Sequence, residues 1–216
     1  VLEEIKGYKK SGLTFAPEAG TQRLRDVINK GITEKDLYSS VSQALELGYS
    51  VIKLYFMIGH PTETFEDIDG IAEIAENIMK MNYDINGRKG GRVKLTVSVS
   101  NFVPKPFTPF QWERQDTAIE FSEKHEYLKQ KLKCIKGVVF NYHEADTSIL
   151  EDVFARGDRR TGRLLLEAYR MGCRFDSWSE HFDINKWKKA IELSGTDVDF
   201  YCHRKRGFNE IFPWDV

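Results

Sequence analysis

The sequence predicts an α/β fold built on a parallel sheet, followed by a mainly helical segment. Three observations carry this. Val51–Ile58, VIKLYFMI, is an apolar run interrupted only by Lys53, which is how a strand covered on both faces reads. Strand-like segments begin near Leu13, Val51 and Val93, roughly forty residues apart, as in slightly enlarged βα units. From Thr147 onward the apolar spacing is helical.

A length of 216 residues, 41% apolar and 30% charged, suits one soluble α/β domain or a domain with an appendage. A formal net charge of -1 gives the whole chain no electrostatic footprint for nucleic acid or membrane. No apolar run reaches bilayer length, and no signal peptide is visible. The 3 cysteines, Cys134, Cys173 and Cys202, are scattered, which argues against a disulfide framework and for a reducing cytoplasm. The chain opens VLEEIKGYKK, without Met and as if inside a helix. It reads as part of a longer polypeptide.

In chain order, Val1–Lys10 reads as the remnant of a helix. Leu13–Ala16 is a short strand that Pro17 closes, because proline cannot donate to a ladder. Thr21 caps a short helix carrying Leu24, Val27 and Ile28. Thr33 with Asp36 is a capping box, and Leu37, Val41, Ala44 and Leu45 follow at helical spacing. After Val51–Ile58, Gly59 and Pro61 turn the chain. Bare backbone N–H groups are expected there, at the C-terminal end of a strand. Thr64 with Asp67 opens a helix over about Phe65–Met79. NGRKGGR, Asn86–Arg92, is a basic glycine-rich loop. Val93, Leu95, Val97 and Val99 alternate with polar residues as a third strand. NFVPKPFTPF holds too many prolines for helix or central strand. Thr117–Ile135 is an amphipathic helix and Gly137–Tyr142 a fourth candidate strand. Helices follow in SILEDVFARG, DRRTGRLLLEAYRMGC and Ile184–Leu193. The expected division is residues 1–115 against 116–216.

Polar residues cluster after the three main strands: Glu18, Thr21 and Lys30; Gly59, His60 and Thr62; Asn101, Val103 and Lys105. Parallel α/β folds bring such positions to one rim. Singly, Thr21 and Thr64 read as caps and Lys30 as a solvated lysine; together the three loops read as a site. His60 alone reads as structural. His143, Glu144 and Asp146 match no metal spacing, and the cysteines form no CxxC pair. Arg156–Arg160 with Arg163, and His203–Arg206 beside Tyr201 and Phe208, have the basic and aromatic composition of an RNA or phosphate contact, or of a solvated surface paired with acids.

The stretches LTFAPEAGTQRLRDVINKG, KLYFMIGHPTETFEDIDG and VSVSNFVPKPFTPFQW resemble the fourth, fifth and sixth βα units of a radical SAM (S-adenosylmethionine) barrel. The similarity is closest to the B12-binding-type subgroup related to methylthiotransferases and cobalamin-dependent methylases. SILEDVFARGDRR, GCRFDSWSEHF and FPWD resemble the C-terminal region of one uncharacterised group of such proteins. The resemblance covers essentially the whole chain.

It implies a partial (β/α) TIM barrel, its last three βα units, followed by a helical extension. It also implies S-adenosylmethionine at the strand ends and a [4Fe–4S] cluster. The CxxxCxxC loop that holds such a cluster is absent from this sequence, so the ligands are expected upstream of Val1 and this segment alone is expected to be inactive. By resemblance, Glu18 would contact the ribose or methionyl part, and Lys30 would pair with the methionyl carboxylate. Met57 would pack on adenine, Val103 would give it backbone or apolar contact, Gly59 would allow close approach, and Tyr55 would point toward ribose. The expected reaction is 5′-deoxyadenosyl radical chemistry, with cobalamin as a methyl source and RNA or a phosphorylated small molecule as substrate. A non-catalytic RNA- or protein-docking module is the competing reading. A hydrolytic barrel lacks an acid–base pair here.

Overall fold

The computed structural model describes residues 12–87, 93–178 and 180–215. The helix expected over Val1–Lys10 and most of the basic loop Asn86–Arg92 lie outside the described residues. The chain divides into two compact units, Val1–Asn101 with Phe121–His143, and Phe102–Glu120 with Glu144–Val216. The sequence division after residue 115 differs: the fourth strand and most of the helix before it go with the sheet.

The first unit is a four-stranded parallel sheet in sequence order: β1 (Leu13–Glu18), β2 (Val51–Ile58), β3 (Lys94–Asn101) and β4 (Val138–Tyr142). Its helices are α1 (Gln22–Val27), α2 (Glu34–Glu46), α3 (Phe65–Asn86) and most of α4 (Ala118–Lys133). β1 does not stop at Pro17. It runs through to Glu18, but its register with β2 slips between Phe15 and Glu18, as expected where proline removes a ladder donor. The expected helix end at Met79 is also passed. Nothing in Lys80–Asn86 breaks a helix, and α3 stops only at Gly87, whose φ is 64°.

β2 behaves differently from its composition. Ile52, Leu54, Phe56 and Ile58 are buried, while Val51 and Tyr55 are exposed and Lys53 and Met57 half-buried. Register pairs Ile52, Leu54 and Phe56 with Leu95, Val97 and Val99 on one face. Lys53, Tyr55 and Met57 stand beside Thr96, Ser98 and Ser100 on the other. The apolar run is therefore an alternating strand whose second face carries polar neighbours.

The loop after β1 and α3 approach each other backbone to backbone. Gly20, just after β1, lies against α3: a Cβ there would stand 2.1 Å from the Asp67 carbonyl oxygen and 2.5 Å from the Ile71 nitrogen. A Cβ on Gly70 would meet the Gly20 carbonyl at 2.7 Å. Two glycines let the loop after β1 touch the helix that follows β2.

Two buried histidines make this unit acid-sensitive. His60 is pushed down to about 4 by burial, with the Lys124 charge adding and the Glu18 backbone and Asp67 opposing. His125 is stacked on Tyr142 at 4.4 Å and is pushed down to about 4 by burial and then by His143. Both folded values lie below the usual histidine value, so the unfolded chain binds protons first. Stability is full above about pH 6.5 and falls as pH drops toward 4. Each histidine is expected to remove up to about 2 kcal/mol between pH 6.5 and 5. Urea unfolding at pH 7 and pH 5 measures the loss, and His125→Gln should remove about half of it, leaving the share of His60.

The second unit is helical: α5 (Ala145–Ala155), α6 (Thr161–Arg170), α7 (Ile184–Ser194) and a π-helical turn at Asp199–His203. Ile149, Val153, Leu164, Ala168, Trp187 and Ala190 form its apolar centre, with Tyr201 and Cys202 from the turn. Through this centre runs an ion pair with both side chains at 0% exposure. Arg156 donates Nε and Nη2 to the Asp152 carboxylate, both at 2.6 Å. It also donates to the carbonyls of Glu113 at 2.6 Å and Cys202 at 3.1 Å.

Candidate functional site

The C-terminal ends of β1 and β2 lie side by side, with Glu18 opposite Phe56 in register. Glu18 adopts φ 69°, the left-handed region unusual for a residue other than glycine. α1 begins at Thr21, whose hydroxyl accepts the Leu24 N–H, and its short length returns the chain to the same place. Lys30 thereby reaches Glu18: Nζ lies 3.2 Å from Oε1, and each side chain is about a third exposed. Sequence reading treated the two as separate contacts; they form a pair. A pair this open is worth roughly 0–1 kcal/mol. It can be exchanged at little cost for the carboxylate and ammonium of an amino-acid ligand.

Gly59 follows β2 with φ 86°, which only glycine adopts freely. Its N–H is not bare, contrary to the expectation for this turn. The Glu63 carboxylate, from a side chain at 2% exposure, folds back to accept it at 2.7 Å. Lys124 holds the same carboxylate at 2.8 Å. Any acceptor would have to displace Glu63 to use the Gly59 N–H; a donor edge would not. His60 is buried, in keeping with a structural role.

Met57 and Tyr55 stand on the face of β2 away from Phe56. The Tyr55 hydroxyl accepts from Lys53 Nζ at 2.6 Å, and Lys53 also lies over the ring at 4.3 Å. Val103 follows β3 by two residues, is half-buried, and belongs to the second compact unit. Lys105 pairs with Glu151.

Sequence reasoning missed the group that fixes this rim. Asp67 was read as a helix cap, and it does accept the Thr64 N–H at 2.8 Å. It also accepts the Thr21 hydroxyl and the Arg23 guanidinium, while Arg23 donates to the Thr62 carbonyl at 3.0 Å. Burial pushes the Asp67 carboxyl up, but these hydrogen bonds together hold it below its usual value. One carboxylate thus ties the loop after β1 to the loop after β2. A threonine 46 residues and an arginine 44 residues before an aspartate leave no local sequence signal.

The basic runs are mostly spent internally. Arg156 is buried against Asp152; Arg160 pairs with Asp158, and Arg204 with Glu210. Arg163 donates to the Leu193 carbonyl. The His143 N–H bonds the Val99 carbonyl, and Asp146 pairs with Lys188. Among the described residues no group of three or more His, Cys, Asp or Glu side chains is placed to hold a metal ion. Among them, too, no helix is long and apolar enough to cross a membrane.

No family model matches the chain, and no solved structure does. An uncharacterized protein of Methanocaldococcus jannaschii is 35% identical over 157 residues, which cover 73% of this chain and 32% of that protein. The chain thus spans about a third of the length of the curated relative it matches.

Proposed function

We propose that the first unit is the later part of a radical SAM-type (β/α) barrel that binds S-adenosylmethionine at its strand ends. The observation that carries this reading is the partly exposed Glu18–Lys30 pair at the end of β1, beside Gly59 at the end of β2. Strand order supports it as well. Four parallel strands in simple sequence order run like barrel strands, without the reversal of a doubly wound sheet.

The residues present suit the ligand's amino-acid end. Lys30 would hold the methionyl carboxylate as a point charge, and Glu18 would accept from the ammonium or a ribose hydroxyl. Met57 would offer apolar contact to adenine, with Tyr55 toward ribose and Gly59 leaving room for close approach. Bound here and cleaved by one electron from a [4Fe–4S] cluster whose ligands are expected outside this chain, S-adenosylmethionine would release methionine and supply the 5′-deoxyadenosyl radical for hydrogen-atom abstraction from substrate.

The cysteines here do not suit a [4Fe–4S] cluster: Cys134 is exposed and single, and Cys173 and Cys202 are buried free thiols. The cluster ligands, cobalamin as a methyl source, and methylation or methylthiolation of RNA or a small substrate belong to the proposal for a longer, cytoplasmic polypeptide.

Equilibrium binding of S-adenosylmethionine to the full gene product tests it. Lys30→Met is expected to weaken binding about tenfold or more, because it removes a charge-assisted contact. Glu18→Gln should weaken it less. Binding unchanged in Lys30→Met would end the proposal.

A further inference from the structure

We propose that the helical unit holds a second ligand site, selective for a small phosphate monoester with an apolar, ring-bearing body. The site is a cleft of about 710 Å³ between the loop after α5, the π-helical turn and the segment that follows it. That volume admits a nucleotide-sized molecule. The inference is independent of S-adenosylmethionine binding by the first unit.

Its charges do not balance. Arg156, Arg159, Arg160 and Arg206 line the cleft against Asp158 and Glu210. Arg156 is compensated by Asp152, Arg160 by Asp158, and Glu210 is held by Arg204. Arg159 and Arg206 are left, and neither has an acidic partner among the described residues. Arg159 is exposed, and a solvated guanidinium requires no partner. Arg206 is the anomaly, because it is only 5% exposed.

Arg206 Nη2 donates to the Tyr201 carbonyl at 2.8 Å, but its Nε is buried without a hydrogen bond. The guanidinium lies over the rings of Phe212 at 5.4 Å and Trp214 at 5.8 Å. Those rings recover part of the desolvation penalty, yet they supply no anion. Burial lowers the Arg206 pKa, and the Arg156 and Arg204 charges lower it further, against the smaller opposing effects of Glu210 and Asp152.

Two uncompensated positive charges match a phosphate monoester, which carries about −1.5 to −2 near neutral pH. The Arg206 Nε has no hydrogen-bond partner and Nη2 holds only the Tyr201 carbonyl, so no acid occupies the side of the guanidinium that forks a phosphate. The remaining wall is apolar and open: Phe200 and Ile211 are exposed, Ile211 at 86%, beside Pro213. An exposed isoleucine beside an unpaired arginine suits an organic body attached to the phosphate better than inorganic phosphate alone.

Calorimetric titration of the chain with phenyl phosphate tests this, with inorganic phosphate, benzoate and benzyl alcohol as comparators. Phenyl phosphate should bind most tightly, inorganic phosphate about tenfold more weakly, and benzyl alcohol not at all. Arg159→Glu, on the surface, should weaken phenyl phosphate about tenfold or more with an unchanged melting curve. Arg206→Lys, which keeps the charge and loses the fork, should also weaken it; if that variant does not fold, Arg159→Glu decides. The proposal is overturned if phenyl phosphate fails to bind at millimolar concentration, if Arg159→Glu binds it as the parent does, or if benzoate binds equally well. Binding of a single-stranded RNA oligonucleotide without binding of phenyl phosphate overturns it in favour of a nucleic-acid surface.

Discussion

Arg156→Met is expected to destabilise the helical unit by about 3–5 kcal/mol. The substitution strands the Asp152 carboxylate at 0% exposure and takes the donor from two carbonyls, those of Glu113 and Cys202. A buried charge without its partner is far more damaging than the pair is stabilising. The double variant Asp152→Leu with Arg156→Met should therefore recover part of the loss, which two independent contributions would not do. Urea unfolding followed by tryptophan fluorescence, with Trp187 in the centre of the unit, reads both. A loss below about 1 kcal/mol in the single variant would mean that water reaches the pair in solution.

Gly20→Ala should cost about 3 kcal/mol, the upper end for forced overpacking. The obstacle is backbone on both sides, so no side-chain rotation relieves it. Gly70→Ala presses on the same contact from the helix, but there alanine gains about 1 kcal/mol of helix propensity. The glycine after β1 should be the more sensitive of the two. Equal thermal shifts in the two variants would show that the helix backs away freely, and the close approach would then count for little.

Much of the sheet unit can be read directly from the residues. Alternation marks β3, the threonine caps place α1, α2 and α3, and length separates strand from helix. The second face of β2 could not be read, because Val51, Tyr55 and Met57 are apolar whether or not anything covers them. At the site, glycine and strand-end position pointed to Glu18, Lys30 and Gly59. The pairing of Glu18 with Lys30 was hidden because it depends on the length of α1. Glu63 covering the Gly59 N–H was hidden because a glutamate after a turn ordinarily faces water. The arginine runs left two readings open, a phosphate or RNA contact and a surface paired with acids, and Arg156, Arg160 and Arg204 take the second. Charge density looks the same for a guanidinium that faces solvent and one that crosses a helical core, as Arg156 does.

The two sides of β2 answer to different pressures. Ile52, Leu54, Phe56 and Ile58 are held by close packing, where even one methylene is felt. Lys53, Tyr55 and Met57 carry no such duty, so replacing them leaves the fold nearly untouched. A lineage could therefore drift at alternate positions of a single segment and acquire a new chemical preference while every intermediate remained folded.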